Sequence, residues 1–212
     1  MSKKCMVIAT ELLLEKNFSG FVTKDFYDYL TIIRNTENQS FLDRFETSIV
    51  QAKPAEEDPS YQQIIPYAIV LHNEKIFLYE RAPSGINNEE RLASKLTIGI
   101  GGHIEPTDED EEEDIILVSL KREIQEELGY GDELYIIHKG YIKFGDLEVD
   151  KVHFGIVFLA EVKEHSFVFN NKEIVHGEFK TFEEIRSPEI YKRLENWSKE
   201  LIDNMHKILY EI

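Results

Sequence analysis

The hydrophobic residues after position 63 fall into short runs that predict a series of β-strands. Two of these runs are residues 64–72 and 75–81, and Asn73 and Glu74 between them make a two-residue turn typical of a β-hairpin. A third run, residues 96–103, ends in a pair of glycines followed by a histidine. Further strands are predicted at residues 133–144, 152–162, 167–171 and 178–182.

The first 52 residues carry a different pattern, in which helical spacing is more common. Residues 6–14 are apolar and fit a strand or a helix. Thr23 and Ser40 are placed to cap two short helices. The apolar stripes of these helices are Phe26, Leu30 and Ile33 for the first, and Leu42, Phe45 and Ile49 for the second. Residues 53–63 hold two prolines and several acidic residues, which favours a linker or an exposed loop. We therefore expect an N-terminal extension, residues 1–60, and a main domain, residues 61–212.

Two further helices are predicted within the main domain. The first spans residues 114–128, and Gly129 follows it as the left-handed residue that often ends a helix. The second begins at Ser187 and Pro188, a cap and first-turn pair, and runs to the C-terminus. Its apolar stripe, which we assign to core packing, is Ile190, Leu194, Trp197, Leu201, Met205 and Leu209. The order of strands, helix, strands and helix predicts an α/β or α+β layered fold.

Composition and charge narrow the classes of partner. With 42% hydrophobic and 11% aromatic residues, the chain of 212 residues is able to build a core. Its 24 basic and 41 acidic residues give a net charge of −17, which argues against binding a nucleic acid polymer or an anionic membrane. A phosphate-bearing ligand would therefore need local positive charge, for which a divalent cation is the obvious source.

Cysteine content and hydropathy bear on the cellular compartment. Cys5 is the single cysteine, so neither an intrachain disulfide nor a cysteine-based zinc site can form. No stretch approaches the roughly 20 apolar residues that a membrane span requires, and no signal-peptide pattern is visible. We expect a cytoplasmic protein.

The predicted helix at 114–128 carries three carboxylates on one face. At 100° per residue counted from Glu123, Glu126 lies at about 300° and Glu127 at about 40°. An adjacent face holds the apolar residues Leu117, Leu120, Ile124 and Leu128. Like charges one turn apart repel, so the three carboxylates are either solvated or neutralised by cations. Carboxylate oxygens on a rigid element suit Mg²⁺ or Mn²⁺.

The same helix carries a family signature. Residues 122–130, REIQEELGY, resemble the second half of the Nudix box, R-E-U-x-E-E-x-G-U, in which U is a bulky aliphatic or aromatic residue. The preceding strand and the residues GGHIE at 101–105 also resemble the entry into that box. The resemblance, which extends loosely over residues 64–185, is to the MutT-like Nudix hydrolases. It implies an α/β/α sandwich with a mixed sheet. It also implies hydrolysis of a nucleoside diphosphate linked to another moiety, or of a related diphosphate.

The chain departs from the family pattern before the helix. Asp114 occupies the position of the first box glutamate, and the loop before it is six residues longer than in the family. The extra residues fall in the acidic run 108–114, which we expect to be a solvated loop. In the family that outer glutamate looks supportive, so the substitution leaves the implied chemistry in place.

The resemblance assigns roles to the box residues. Glu123, Glu126 and Glu127 are implied as ligands of Mg²⁺ or Mn²⁺, with Glu126 and Glu127 serving catalysis directly, and Gly102 or Gly101 adds a backbone carbonyl. Arg122 is implied to orient a box carboxylate. The family often takes its general base from a loop before a late strand, where Glu173 lies in this chain; His176 and Glu148 are weaker candidates. Glu105 matches a glutamate that is frequent near the metals, and a phosphate contact of His103 is a further alternative.

The substrate side of the site is less specific in the sequence. We expect Tyr67 and Arg81, on the first strands, to contact an anionic substrate, and we expect Arg91 to be a solvated surface residue. The resemblance implies a small phosphorylated substrate. Nudix proteins are often dimers, so a homodimer is compatible with it.

Two other functions remain open at this point. One is a Nudix fold used to bind and sense a nucleotide, motivated by the extension at residues 1–60. The other is an isomerase of allylic diphosphates, which would require a thiol at the site and therefore Cys5.

Overall fold

The computed structural model describes residues 3–48, 50–82, 95–131, 134–145, 151–163, 167 and 174–210. The chain forms two compact units. Unit 1 comprises residues 1–66, 102–120 and 140–157, and unit 2 comprises residues 67–101, 121–139 and 158–212. Each unit combines strands with helices in a mixed α+β arrangement.

Ten strands are described. They are β1 Lys4–Ala9, β2 Gly20–Thr23, β3 Gln39–Asp43, β4 Tyr61–His72, β5 Lys75–Arg81, β6 Leu96–Thr97, β7 Gly99–Gly101, β8 Tyr135–Lys143, β9 His153–Glu161 and β10 Ile174–Lys180. The helices are α1 Thr10–Leu13, α2 Tyr29–Arg34, α3 Ile115–Leu128, α4 Phe182–Ile185, α5 Pro188–Tyr191, α6 Asn196–Asp203 and α7 Met205–Tyr210. Short 3₁₀ turns cover Thr36–Asn38, Ala55–Glu57 and Pro106–Asp108.

In unit 1 the N-terminal residues are part of the sheet. Strand β1 pairs antiparallel with β3 and also with the first residues of β4, where Val7 lies opposite Gln63. Strand β2 pairs antiparallel with the end of β8. Because β1 hydrogen-bonds to β4, residues 61–63 of the predicted linker belong to a strand. Aromatic rings of Tyr29, Tyr141 and Phe154 pack together in the core of this unit.

In unit 2 the β4–β5 hairpin is the central feature, and it confirms the predicted turn. Asn73 and Glu74 both have positive φ, 50° and 61°, which is the backbone that a two-residue hairpin turn requires. Strand β10 pairs antiparallel with β5, β6 also pairs with β5, and β7 pairs with β4. The short strands β6 and β7 therefore bring Thr97 opposite Tyr79 and Gly101 opposite Tyr67.

Helix α3 also forms as predicted. The backbone N–H of Ile116 donates to the Asp114 carboxylate (2.9 Å), which caps the first turn. Gly129 has φ 64°, the left-handed conformation expected where the helix ends. Leu120, Ile124 and Leu128 are fully buried, so these three residues of the predicted apolar stripe pack into the core, whereas Leu117 is partly exposed. The adjacent face of α3 carries the carboxylates of Glu123, Glu126 and Glu127.

Two helix predictions are wrong. The segment that begins at Ser40 is not a helix, because Gln39–Asp43 forms strand β3 on β1.

The long C-terminal helix is divided into three short ones. The break between α5 and α6 has a clear cause, since the backbone N–H of Leu96 donates to the Arg193 carbonyl (3.1 Å) and that of Glu195 donates to the Leu96 carbonyl (2.9 Å). The predicted Thr23 cap is also wrong, because Thr23 ends β2 and helix α2 starts at Tyr29 with Asp28 as its cap.

No helix among the described residues is both long and apolar enough to cross a membrane.

Candidate functional site

The three carboxylates of α3 differ sharply in exposure. Glu127 is buried, with 3% of its surface exposed. The Glu123 side chain is 15% exposed, whereas that of Glu126 is 57% exposed. The face therefore runs from the interior of unit 2 to its surface. Among the described residues, these three side chains do not all bring a carboxylate oxygen within 4.8 Å of one another.

Arg122 connects the two outer carboxylates. Its Nη1 lies 2.8 Å from Oε1 of Glu123 and 3.4 Å from Oε2 of Glu126. A guanidinium offers several donors in a fixed plane, so it holds both carboxylates in defined orientations and reduces their mutual repulsion. This geometry is compatible with the orienting role that the family resemblance implies for Arg122.

Tyr79 of β5 lies beside Glu127, and the sequence reasoning missed it. Its hydroxyl is 3.1 Å from the Gly99 carbonyl and 3.4 Å from Oε2 of Glu127, and it accepts a long hydrogen bond from Nη1 of Arg81 (3.4 Å). Since alternate residues of a strand share a face, Phe77, Tyr79 and Arg81 form one row. That period of two, read from Arg81, is the signal that could have identified Tyr79.

Burial and neighbouring charges determine the protonation states of Tyr79 and Arg81. Burial, followed by the negative charge of Glu127, raises the pKa of Tyr79 well above its usual value, so the phenol remains a neutral donor. Burial alone would lower the pKa of Arg81, but the acidic groups around it, led by Tyr79 and Glu127, raise it instead. Arg81 is thus a part-buried, permanently charged cation whose field acts on Glu127.

Replacing Tyr79 by phenylalanine should lower the free energy of unfolding by about 1–2 kcal/mol, because buried acceptors lose a hydroxyl donor. Urea denaturation of the two proteins measures the difference. Tyr135→Phe is the matched control, because Tyr135 is exposed. Equal stability of the two variants would contradict the assigned hydrogen bonds.

Tyr67 lies in a buried polar network of unit 2. Its hydroxyl is 3.0 Å from Oγ1 of Thr97 and 3.1 Å from Oε1 of Glu195, and its ring meets Trp197 edge-on at 5.4 Å. Burial is the main cause that raises the pKa of Tyr67, and the charge of Glu195 adds to it. The ring also lies over Gly99, where an added Cβ would be 1.9 Å from Tyr67 Cε1.

Gly102 and Glu105 belong to unit 1, in the segment that precedes α3. The backbone N–H of Glu105 donates to Oδ2 of Asp108 (2.8 Å), and Asp108 is buried. The acidic run is therefore not a uniformly solvated loop, since its first residue folds back onto the chain. Residues 109–113 are exposed, as expected.

Asp114 closes the acidic run with an ion pair to Arg34 of α2. The shortest N–O separation is 2.6 Å, and the side chains are 52% (Arg34) and 20% (Asp114) exposed. We expect Arg34→Gln to lower the free energy of unfolding by no more than about 1 kcal/mol, because water screens a pair this exposed. The difference should shrink further in high salt, which denaturation at two ionic strengths would measure. A larger, salt-independent loss would contradict a simple surface pair.

Several candidates fall outside the described residues. They are Glu173, Glu148 and Arg91, together with residues 168–171 of a predicted strand. His176 is described. It is exposed on β10 and lies 3.7 Å from Glu178.

Comparison with solved structures identifies the fold. The structure of Tm1382, a candidate Nudix hydrolase, superposes with a TM-score of 0.72 over 96% of this chain and 98% of that one, at 24% identity. DR0079 from Deinococcus radiodurans gives a TM-score of 0.52 over 74% of this chain and 89% of that one, at 20% identity. The Nudix domain of Shewanella oneidensis NrtR, solved with ADP-ribose, gives 0.51 over 69% and 87%, at 14% identity.

Comparison of sequences adds a nearer relative. No sequence model of a known family matches the chain. Protein YmaB of Bacillus subtilis (strain 168) is 35% identical over 153 residues, which are 70% of this chain and 73% of YmaB. The chain belongs to the family of YmaB, and it has the Nudix fold. The fold that the resemblance of residues 122–130 implied is thereby confirmed, and α3 is its box helix.

Proposed function

We propose that this protein hydrolyses a phosphoanhydride bond in a small metabolite that contains a diphosphate, using Mg²⁺ or Mn²⁺ held by Glu123, Glu126 and Glu127. One observation carries the proposal. The box carboxylate Glu127 is buried, beside the phenol of Tyr79 and the charged guanidinium of Arg81. A carboxylate removed from water at this position needs compensating positive charge. In a metal-dependent hydrolase, the bound cation would supply that charge.

The donor set of α3 fits a hard divalent cation. All three side chains end in carboxylate oxygens, the ligands that Mg²⁺ prefers, and they extend from little more than one turn of a rigid helix. When bound, such a cation would polarise a phosphoryl oxygen and lower the pKa of a bound water. On the family resemblance alone, the backbone carbonyl of Gly102 and the side chain of Glu105 are proposed as further site residues.

The surrounding residues of the chain would prepare this site for the reaction. Arg122 orients Glu123 and Glu126 through its contacts of 2.8 and 3.4 Å. The Tyr79 hydroxyl lies 3.4 Å from Oε2 of Glu127, which restricts the rotation of that carboxylate. Arg81 supplies a fixed positive charge that would attract the phosphoryl groups of a ligand. We propose Glu173 as the general base, and Glu173→Gln is its direct test.

The proposed substrate is a nucleoside diphosphate linked to another moiety, or a related small diphosphate. The net charge of −17 disfavours a long polyanion, while a small diphosphate can arrive with its cation. The Nudix domain of NrtR, which shares this fold, is solved with ADP-ribose, a compound of that class.

The decisive experiment is a substrate panel with the purified protein. Nucleoside triphosphates, nucleotide sugars, ADP-ribose, dinucleoside polyphosphates and coenzyme A are incubated with Mg²⁺, and the release of nucleotide or phosphate is measured. We expect turnover of at least one compound, loss of turnover in EDTA, and recovery on adding Mg²⁺ or Mn²⁺. Tight binding without turnover, unchanged by Glu127→Gln, would instead support a nucleotide sensor. If no compound is bound and none is hydrolysed, the proposal is overturned.

The buried position of Cys5 argues against the isomerase alternative. Cys5 is fully buried, and burial raises the pKa of its thiol to about 12. Its sulfur contacts Gln63 at 3.3 Å. A thiol that is both enclosed and protonated is poorly suited to act on a substrate, so hydrolysis is the better supported function.

A further inference from the structure

Two histidines and a glutamate converge in unit 1 on ligand atoms that face one another. His103 Nε2 and His153 Nε2 are 3.3 Å apart. The Glu56 carboxylate lies 4.0 Å from His103 through Oε1 and 3.9 Å from His153 through Oε2. One ligand atom from each residue lies within 4.8 Å of the others. The three residues thus form a compact group with two nitrogen donors and one oxygen donor.

The chain brings this group together from three separate segments. Glu56 lies in the 3₁₀ turn Ala55–Glu57, His103 follows β7 after Gly102, and His153 is the first residue of β9. The side chains are largely enclosed, with exposures of 16% for Glu56 and His103 and 10% for His153. A nearly buried cluster of this composition is held by the fold, unlike a chance meeting of surface side chains.

Two imidazole nitrogens at this separation need a proton or a cation between them, because two lone pairs facing each other repel. The distance of 3.3 Å between the two Nε2 atoms is the one expected when both bind the same metal ion. Two nitrogens bound at 2.0–2.1 Å to one tetrahedral cation are about 3.3–3.4 Å apart. Glu56 would have to turn one oxygen toward both nitrogens, because Oε1 lies 4.0 Å from His103 Nε2 whereas Oε2 lies 3.9 Å from His153 Nε2.

Arg44 determines which oxygen of Glu56 is left to bind a cation beside the two histidines. Its Nε and Nη2 donate to Oε1 at 2.9 and 2.5 Å, which anchors one side of the carboxylate. Oε2 is the oxygen that lies nearer His153. A residue that orients a ligand in this way is typical of protein metal sites.

We propose that Glu56, His103 and His153 form a second cation site, selective for a borderline divalent metal of the Zn²⁺ class. Two imidazoles and one carboxylate are a common protein ligand set for zinc, and a set with two nitrogens is a poor one for Mg²⁺. A cation there would join the turn at residues 55–57 to His103 and to the start of β9, and would stabilise unit 1 by linkage. This site does not depend on the activity proposed for the box helix.

The test is direct metal binding to the tag-free protein after removal of metals with a chelator. Isothermal titration with Zn²⁺ in millimolar Mg²⁺ should show one equivalent bound per chain, and the thermal midpoint should rise. We expect His103→Gln and His153→Gln each to weaken Zn²⁺ binding by about 100-fold or more. His206→Gln is the matched control, since His206 is exposed on α7, and it should bind as the parent does.

Two further measurements keep the result unambiguous. Replacing Zn²⁺ by Co²⁺ in the unaltered protein should give the visible absorption of a tetrahedral complex with nitrogen ligands, which requires no variant to fold. Glu123→Gln with Glu126→Gln should leave this binding intact, so a failure of the proposed hydrolysis is distinguishable from a failure of this site. Zn²⁺ binding that is absent, equalled by Mg²⁺, or unchanged in both His103→Gln and His153→Gln would overturn the proposal.

Discussion

Glu127→Gln should lower kcat/KM about 10³-fold on any compound that the protein hydrolyses, which corresponds to about 4 kcal/mol of transition-state stabilisation. Glutamine has nearly the same shape as glutamate but carries no charge. Glu127 is the most buried of the three box carboxylates, so water cannot replace its charge there. Initial rates over a range of substrate and Mg²⁺ concentrations would measure both the loss and any increase in the Mg²⁺ requirement.

The control for this prediction is an exposed glutamate outside the site. Glu189 lies in the first turn of α5 and is exposed, and Glu189→Gln should retain the parental rate. Thermal midpoints of both variants establish that each is folded at the assay temperature. A folded Glu127→Gln protein with parental kcat/KM would exclude this carboxylate from the reaction, and with it the box as the site.

The sequence was sufficient where local chemistry decides the structure. Helix α3 follows from the spacing of Leu120, Ile124 and Leu128 and from Gly129, all of which act within a few residues of one another. The β4–β5 turn follows for the same reason, because its backbone is set by two adjacent residues. The order of the box residues likewise placed Glu127 and Arg122 on one helix.

The sequence was insufficient where the structure depends on contacts between segments that are far apart in the chain. Leu42, Phe45 and Ile49 have the apolar spacing of a helix that begins at Ser40, yet Gln39–Asp43 forms a strand because β1 supplies hydrogen-bonding partners. The break in the C-terminal helix depends on Leu96, almost 100 residues earlier in the chain. The environment of Glu127 depends on Tyr79, and the Glu56, His103 and His153 group depends on three segments with no shared spacing. Pairing between remote positions has no signature in a single sequence.

Gly99→Ala should lower the free energy of unfolding by about 3 kcal/mol or more, a larger loss than removal of a single buried hydroxyl. A Cβ at position 99 would lie 1.9 Å from Cε1 and 2.0 Å from Cζ of Tyr67, far inside van der Waals contact. The ring cannot move aside at low cost. Its hydroxyl is bound to Thr97 and Glu195, and its ring also meets Trp197.

Urea denaturation followed by tryptophan fluorescence is a suitable measurement, because Trp197 is the single tryptophan and packs on the affected ring. Gly131→Ala is the matched control, since an added Cβ there has its nearest neighbour at 3.9 Å, and we expect it to change stability by less than about 0.5 kcal/mol.

A double-mutant cycle tests the cause of the loss. Tyr67→Leu alone should destabilise the protein, because it removes the buried hydroxyl and part of the ring packing. It also removes the ring atoms that a methyl group at position 99 would strike. The loss in Gly99→Ala with Tyr67→Leu should therefore be smaller than the sum of the single losses by about 1–3 kcal/mol. Additive losses would show that the space beside Gly99 is limited by something other than Tyr67. In that case, the close approach of β7 to β4 would need another explanation.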